Sequence, residues 1–201
     1  MSLLPVIIIG YLIGSIPFAY VIGKIFYSTD VRDHGSGNLG GSNTGRVLGR
    51  KAGVAVMALD LLKVTLSVFL AMKMSTHPLA IACGALSAAI GHCFPLYVHF
   101  RGGKAVAALY GYLFALWVCA GCSPLIFLLP LVFYLAVLAA TKIVSLASML
   151  SSVFVVLCAC LLKLHPSLIF VAVVFSFLII VRHHSNIQRL MSGTERKIQW
   201  M

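Results

Sequence analysis

Three polar stretches interrupt an otherwise apolar sequence, and their residue types are suited to anion chemistry. They are Gly35–Asn43, Arg101–Lys104 and Arg182–Asn186. Glycine and asparagine allow the backbone to turn its N–H groups toward an anion, arginine and lysine supply positive charge, and histidine moves protons near neutral pH. These stretches predict a site for a negatively charged substrate.

The composition predicts that a lipid bilayer surrounds most of this chain. Of its 201 residues, 61% are hydrophobic and 9% are charged, and the mean hydropathy is +1.07. A membrane-spanning helix needs about 20 mainly apolar residues. We therefore predict an all-α integral membrane protein, a seven-transmembrane-helix bundle that forms a single membrane domain over residues 1–201. The predicted transmembrane helices cover residues 3–23, 52–72, 78–98, 104–120, 123–141, 146–163 and 167–181.

The distribution of lysine and arginine predicts the orientation of this bundle. If the N-terminus lies outside, the outer loops receive only Lys73 and Lys163 among these residues. Because cytoplasmic loops carry the excess of lysine and arginine, we expect the N-terminus outside and the C-terminus inside. This orientation places all three polar stretches on the cytoplasmic face. Much of the net charge of +11 also serves orientation and contact with anionic lipid of the bilayer.

Two glycine motifs match nucleotide-binding sequences but lack the necessary context. Gly35, Gly37 and Gly40 fit G-x-G-x-x-G, yet an apolar helix and a charged segment precede them instead of a strand. Lys104 follows a glycine, but Ala105 stands where a P-loop has serine or threonine. We therefore expect no dinucleotide site, no ATP hydrolysis and no nucleic-acid partner.

The small number of carboxylates narrows the possible chemistry. The acidic residues of the chain are Asp30, Asp33, Asp60 and Glu195. Paired carboxylates that hold magnesium in a phosphotransferase are hard to assemble from so few, so the sequence favours a reaction without a metal or another cofactor. Such a reaction needs an electrophile that is already activated, donors that bind the leaving anion, and a base for the attacking hydroxyl.

Several polar residues outside the three stretches are interpreted as structural. Asp60 and Lys63 share a face of a predicted membrane helix. They should pair with each other or face the interior of the bundle, since a lone charge there costs on the order of 3 kcal/mol or more. His92 is interpreted as a packed, hydrogen-bonded residue. Cys119 and Cys122 form a C-x-x-C pattern without the βα context of a redox site, which favours a packing role.

Four ordered motifs carry a resemblance to a known family. They are Gly35-Ser36-Gly37-Asn38 with Ser42-Asn43 and Arg46, Gly91-His92 with Phe94-Pro95 and Gly102-Gly103-Lys104, Val144-Ser145-Leu146-Ala147-Ser148, and Arg182-His183 with Asn186 and Glu195. Together they resemble the PlsY family of bacterial integral-membrane acyltransferases. The resemblance implies transfer of a fatty acyl group from acyl-phosphate to the sn-1 hydroxyl of glycerol 3-phosphate, which gives lysophosphatidate and phosphate in phospholipid biosynthesis.

The resemblance also implies which residues form the site. The implied catalytic residues are Ser36, Lys104, His183 and Asn186, and Glu195 is implied to be structural. The implied substrate-binding residues are Ser36, Gly37, Asn38, Ser42, Asn43, Arg46, Arg101, Gly102, Gly103, Lys104, Ser145 and Arg182. The hydroxyl proton goes either to His183 or to a substrate phosphate. The implied location is the bacterial cytoplasmic membrane, with a functional link to an enzyme that forms acyl-phosphate.

The sequence departs from the family pattern at three positions of the second motif. Arg101, Ala105 and Ala108 stand where lysine, glycine and threonine are common. An alanine at 105 is harmless in the first turn of a helix but strained if the position needs a positive φ. Ala108 lacks the hydroxyl of threonine.

A competing hypothesis is a membrane transporter of an organic phosphate, with the basic face as its entrance. Such a protein is expected to have internal repeats and helices broken near the middle of the membrane. The two halves of this sequence show no repeat, and the glycine-rich loops lie at the ends of predicted helices, so the sequence favours the enzyme.

Overall fold

The computed structural model describes residues 3–75 and 77–198. Every regular element within these ranges is helical, which confirms the predicted all-α class. The chain divides into two compact units, Met1–Ala115 and Leu116–Met201, called unit 1 and unit 2 below. The prediction of a single membrane domain stays a prediction.

Unit 1 is built from apolar helices that approach one another closely. Its elements are α1 (Leu4–Gly14), α2 (Phe18–Tyr27), α3 (Gly41–Leu48), α4 (Arg50–Met74), α5 (Pro78–Cys93) and most of α6 (Val106–Val118), with short 3₁₀ turns at Val31–Asp33 and Leu96–Val98. α1 packs on α4 and α5, and α3 packs on α4. Small residues permit these approaches, as is usual between membrane helices. A methyl group at Gly14, for example, would overlap the backbone of Ala88.

The first predicted membrane helix is interrupted where α1 gives way to α2. The sequence predicts one helix over residues 3–23, but a short irregular segment ending in Pro17 separates the two helices. Proline has no N–H with which to continue the hydrogen-bond ladder. The carbonyl of Ile16, the residue before this proline, accepts a hydrogen bond of 2.8 Å from Lys63 Nζ of α4. A buried lysine therefore supplies a donor at the break.

Unit 2 contains the end of α6 and four further helices. They are α7 (Leu125–Thr141), α8 (Val144–Leu161), α9 (Pro166–Arg182) and α10 (His184–Met191). α8 packs against both α7 and α9. Pro130 lies inside α7, and Ser151 Oγ of α8 donates a hydrogen bond of 3.0 Å to its carbonyl. α9 and α10 form a pair bent by 59°.

The lengths of the helices agree with a multi-pass membrane protein. Within the described residues, the stretches long and apolar enough to cross a bilayer are Leu4–Tyr27, Arg50–Met74, Pro78–Val98 and Val144–Leu161, and the bent pair of α9 and α10 makes a fifth if it is one span. α6 and α7 are apolar but shorter. The 13 residues of α6 rise about 20 Å, against a hydrocarbon core of about 30 Å. A count of seven spans and the orientation of the termini stay predictions.

Candidate active site

The first polar loop, Gly35–Asn43, is shaped by the buried side chain of Asn43. Asn43 Oδ1 accepts a hydrogen bond of 2.8 Å from the Ser36 N–H. Asn43 Nδ2 donates to the carbonyls of Val31 at 3.0 Å and His34 at 3.1 Å. The amide therefore folds the segment before α3 back on itself. The further role expected for Asn43, in substrate binding, stays a prediction.

Two glycines place Ser36 at the tip of this loop. Gly35 has a φ of 65° and Gly37 a φ of 67°, a region that costs other residues about 1–2 kcal/mol. The Ser36 side chain is exposed. Asn38 Nδ2 donates to the carbonyl of Gly102 at 3.3 Å, so the first polar loop is joined to the second within unit 1.

The second polar loop, Arg101–Lys104, lies against the end of α5. The Gly103 N–H donates to the carbonyl of His92 at 3.0 Å. A methyl group at Gly103 would overlap His92 Nε2, and one at Gly102 would overlap the His92 carbonyl oxygen. Packing against His92 therefore requires both glycines. This packing requirement is additional to the substrate-binding role that the family resemblance implies for the two glycines.

The backbone donors of the two loops are partly used within the protein. The N–H groups of Ser36, Gly37 and Gly103 donate to acceptors in unit 1. In this conformation these three N–H groups already have acceptors within the protein. The predicted binding residues with exposed side chains are Ser36, Ser42, Arg46 and Arg101, while Lys104 is partly buried.

Ala105 adopts the strained one of its two expected conformations. Ala105 follows Lys104 directly and precedes the first residue of α6. Its φ is 61°, and its side chain is fully buried. The left-handed region costs a residue with a Cβ about 1–2 kcal/mol. The glycine that is common in the family would avoid this strain. Ala108, at another departure from the family pattern, is fully buried in α6.

His183 lies at the junction between α9 and α10 in unit 2. The side chain is buried, at 4% exposure, and Nδ1 is 2.8 Å from the carbonyl oxygen of Ile179. Because a carbonyl oxygen only accepts hydrogen bonds, Nδ1 carries the proton of this contact. In the neutral ring Nε2 is then the nitrogen that can accept a proton. His184, the next residue, is exposed.

Glu195 gathers three side chains of unit 2 around one carboxylate. Ser145 Oγ donates to Glu195 Oε1 at 2.8 Å and Asn186 Nδ2 donates to the same oxygen at 2.6 Å. Arg189 Nε donates to Oε2 at 2.7 Å. Burial disfavours the charged form of Glu195, but these hydrogen bonds outweigh it and hold the pKa of the carboxyl below its usual range. Ser145 and Asn186, both predicted site residues, are thus positioned by Glu195.

Three acidic residues, Asp30, Asp60 and Glu195, form ion pairs with lysine or arginine. Arg32 contacts both oxygens of Asp30 at 3.0 and 2.7 Å, and these hydrogen bonds lower the pKa of Asp30. Asp60 Oδ1 lies 2.7 Å from Lys63 Nζ, which confirms the predicted pairing, and Glu195 pairs with Arg189 as described. In the part of the chain that the structure describes, no group of three or more His, Cys, Asp or Glu side chains is arranged to hold a metal.

The structure confirms the interpretation of His92 as a buried, hydrogen-bonded residue. The structure places its backbone carbonyl and its ring against Gly102 and Gly103. No periodicity links His92 to a loop that follows an intervening 3₁₀ turn, so hydropathy and helical spacing could not reveal this contact. The signal in the sequence was that His92 and the two glycines belong to the same motif of the family resemblance.

The polar loops on apolar helices fit a membrane-embedded transferase that acts on anionic substrates. The model of the glycerol-3-phosphate acyltransferase family matches residues 4–193. The chain therefore belongs to the glycerol-3-phosphate acyltransferase family, and it is an integral membrane enzyme of that class.

Individual relatives agree over nearly the whole chain. It is 43% identical to a glycerol-3-phosphate acyltransferase of Geobacillus kaustophilus over 97% of this chain and 95% of the relative. It is 41% identical to a glycerol-3-phosphate acyltransferase of Bacillus velezensis, over 96% of each. A crystal structure of PlsY, an integral membrane glycerol 3-phosphate acyltransferase, in its glycerol 3-phosphate form has a TM-score of 0.91, with 35% identity over 99% of this chain and 96% of that one. The lysophosphatidic acid form of PlsY has a TM-score of 0.89 at 34% identity over the same shares.

Proposed function

We propose that this enzyme uses acyl-phosphate as donor and the sn-1 hydroxyl of glycerol 3-phosphate as acceptor. The hydroxyl oxygen forms a bond to the acyl carbonyl carbon, and the bond between that carbon and the phosphate oxygen breaks. The electron pair leaves with phosphate, the hydroxyl proton passes to a base, and the products are lysophosphatidate and phosphate. The glycerol 3-phosphate and lysophosphatidic acid forms of PlsY support the acceptor and the product.

The observation that carries this mechanism is the 2.8 Å contact between His183 Nδ1 and the Ile179 carbonyl oxygen. The hydrogen bond from Nδ1 to Ile179 leaves Nε2 of the neutral ring as a proton acceptor, which is what a general base for a hydroxyl requires. Three of the four side-chain carboxylates, those of Asp30, Asp60 and Glu195, form ion pairs with lysine or arginine. We therefore assign the hydroxyl proton to His183 Nε2, from which it passes to the released phosphate.

The remaining predicted residues bind the phosphate groups in this proposal. Lys104, Arg46 and Arg182 supply positive charge, and the exposed Ser36 hydroxyl at the tip of the first polar loop supplies a hydrogen bond. Charge-assisted contacts of this kind are the strong ones for phosphate oxygens. Asn186 is held by Glu195, so its amide is preorganised in one orientation.

The donor is tested with the purified protein in detergent. Product from glycerol 3-phosphate is measured with acyl-phosphate or acyl-CoA of the same chain length, and the position of the acyl group is determined by mass spectrometry or NMR. We expect 1-acyl product from acyl-phosphate, none from acyl-CoA, and full activity in EDTA. Product from acyl-CoA, or loss of activity in EDTA that magnesium restores, would refute the proposed reaction.

The proposed location is the bacterial cytoplasmic membrane, with seven spans, the N-terminus outside and the C-terminus inside. The lysine and arginine distribution supports this orientation. In a cysteine-free background, single cysteines at Ser42, Arg101 and Ser192 should be shielded from an impermeant reagent in intact cells, while one at Ser75 should react. These positions avoid Gly103, where a side chain would overlap His92. Labelling of Arg101→Cys from outside would reverse the proposed orientation.

A further inference from the structure

Three buried polar side chains of unit 1 have no part in the proposed chemical step. Lys63 Nζ lies 2.7 Å from Asp60 Oδ1, and His92 Nδ1 lies 3.6 Å from the same oxygen. The three side chains are each between 3 and 4% exposed. Burying such polar groups costs free energy. Packing alone therefore does not explain why all three are present together.

The Lys63 end of this group is fixed to the helix break. Lys63 Nζ donates to the Ile16 carbonyl at 2.8 Å and lies 5.7 Å from the centre of the Phe18 ring. Both contacts belong to the segment where α1 gives way to α2. The ammonium is thereby held from two sides, and it in turn holds the Asp60 carboxylate.

The His92 end of the group is fixed to the second polar loop. The His92 carbonyl accepts the Gly103 N–H at 3.0 Å, and the ring lies so close to Gly103 that a methyl group there would overlap Nε2. The next residue of the loop is Lys104. A rotation of the His92 ring would therefore displace the backbone that carries Lys104.

We propose that Asp60 and His92 are positioning residues for the second polar loop, with Lys63 as the anchor of Asp60. The Asp60 carboxylate orients the His92 ring through Nδ1, and the oriented ring and carbonyl of His92 set the position of Gly103. This inference rests on the proposed function in one respect, the contact of Lys104 with a substrate phosphate, which we assign here to glycerol 3-phosphate.

The test compares two variants of His92 that differ in one donor. His92→Asn keeps an N–H group near the position of Nδ1, while His92→Leu keeps bulk and loses the donor. Both keep the backbone carbonyl. With the wild-type enzyme's best acyl donor, we expect the KM for glycerol 3-phosphate to rise about 10-fold or more in His92→Leu, since displacement of a positioning group has effects of that order. The kcat should stay within about 3-fold. The KM of His92→Asn should lie between those of wild type and His92→Leu, because asparagine keeps a donor near Nδ1 but lacks the ring atoms that contact Gly103.

Direct binding of glycerol 3-phosphate, measured by calorimetry on the same samples, separates this inference from the donor assignment. If wild type fails with acyl-phosphate but binds glycerol 3-phosphate, the proposed function fails and the variants still test the loop. Thermal melting in detergent identifies loss of fold. Equal affinity in His92→Leu and wild type would overturn the inference, as would a fall in kcat at unchanged KM. Equally weakened binding in both variants would overturn the orienting role of the donor.

Asp60→Asn provides a second variant that does not alter His92. It retains an oxygen and loses the charge that attracts both neighbours. We expect weaker glycerol 3-phosphate binding, and we expect the effects of Asp60→Asn and His92→Leu to be non-additive because they act on one contact. Additive effects in the double variant would show that Asp60 does not act through His92.

Discussion

Units 1 and 2 hold their polar motifs in place by different physical means. In unit 1 the Asp60–Lys63 pair is 3% exposed at both side chains, and Asp60 lies 3.6 Å from His92, which packs against the second polar loop. In unit 2 the Glu195 carboxylate collects hydrogen bonds from the ends of helices, and its arginine partner is 37% exposed. Charges attract strongly in a low-dielectric interior and weakly near water. Unit 1 therefore depends on an intact ion pair, and unit 2 depends on several hydrogen bonds to one acceptor.

The largest effect should come from breaking the buried pair of unit 1. Lys63→Met leaves the Asp60 carboxylate buried without its cation, which costs about 3–5 kcal/mol of folding free energy. We expect a large fall in the melting temperature in detergent. Lys73→Met is the matched control, because Lys73 lies on the same helix and is exposed. Equal destabilisation by both substitutions would show that the buried ion pair does not contribute specially to the stability of unit 1.

The next effect tests the proposed role of His183 in unit 2 as the base. His183→Ala removes the proposed base and should lower kcat on the order of 100-fold. His184→Ala, at an exposed adjacent position, should change kcat little. The measurement is steady-state kinetics at saturating donor. Loss of turnover in His184→Ala with normal turnover in His183→Ala would show that the motif is assigned to the wrong histidine.

Lys104→Ala should act on binding in unit 1. The loss of a charge-assisted contact of about 1.5–3 kcal/mol is expected to raise the KM for a phosphate substrate, with kcat changed less. Lys51→Ala, at an exposed basic residue of unit 1, serves as the control for general loss of positive charge. If Lys104→Ala lowers kcat alone, the lysine acts in the transition state instead.

The carboxylate of unit 2 predicts a pH-dependent contribution to stability. Because the pKa of folded Glu195 lies below its usual range, the stabilisation is present above the unfolded pKa and is lost as the pH falls through the folded pKa. Glu195→Gln should cost about 1.5 kcal/mol at pH 7, and the difference from wild type should vanish in acid. Melting curves at a series of pH values measure this. Lys197→Gln is the control, and a difference that persists at low pH would contradict the assignment.

The smallest effect concerns the strained residue after Lys104. Ala105→Gly should raise the free energy of unfolding by about 0.5–1 kcal/mol, because glycine adopts a positive φ without a Cβ clash. Ala107→Gly, two residues further into α6, should lower stability instead. Melting temperatures of the two variants should therefore move in opposite directions. A loss of stability in both would contradict the strain at residue 105.

The parts of this fold that depend on side-chain hydrophobicity were predictable from the sequence. Apolar runs located the helices, and the spacing of Asp60 and Lys63 predicted their ion pair. The break before Pro17 was missed because hydropathy sums side chains and does not record a missing backbone donor. The proline itself was a usable signal.

Within the site, the motifs were predictable and their supporting contacts were not. The positive φ of Ala105 and the contact of His92 with Gly103 depend on how the chain folds between distant elements. Spacing along one helix carries no information about either. The sequence predicted Asn186 and Ser145 as site residues, but their common acceptor Glu195 became clear only from the geometry.

The spacing of the buried ion pair also bears on how the protein enters the bilayer. Asp60 and Lys63 are three residues apart in α4, so their charges can neutralise each other within a single helix, before any neighbouring helix has arrived. A lone lysine or aspartate at this depth would oppose transfer from the translocon into lipid by about 2.5–3.5 kcal/mol. The two charges can therefore enter the membrane as a locally neutral pair.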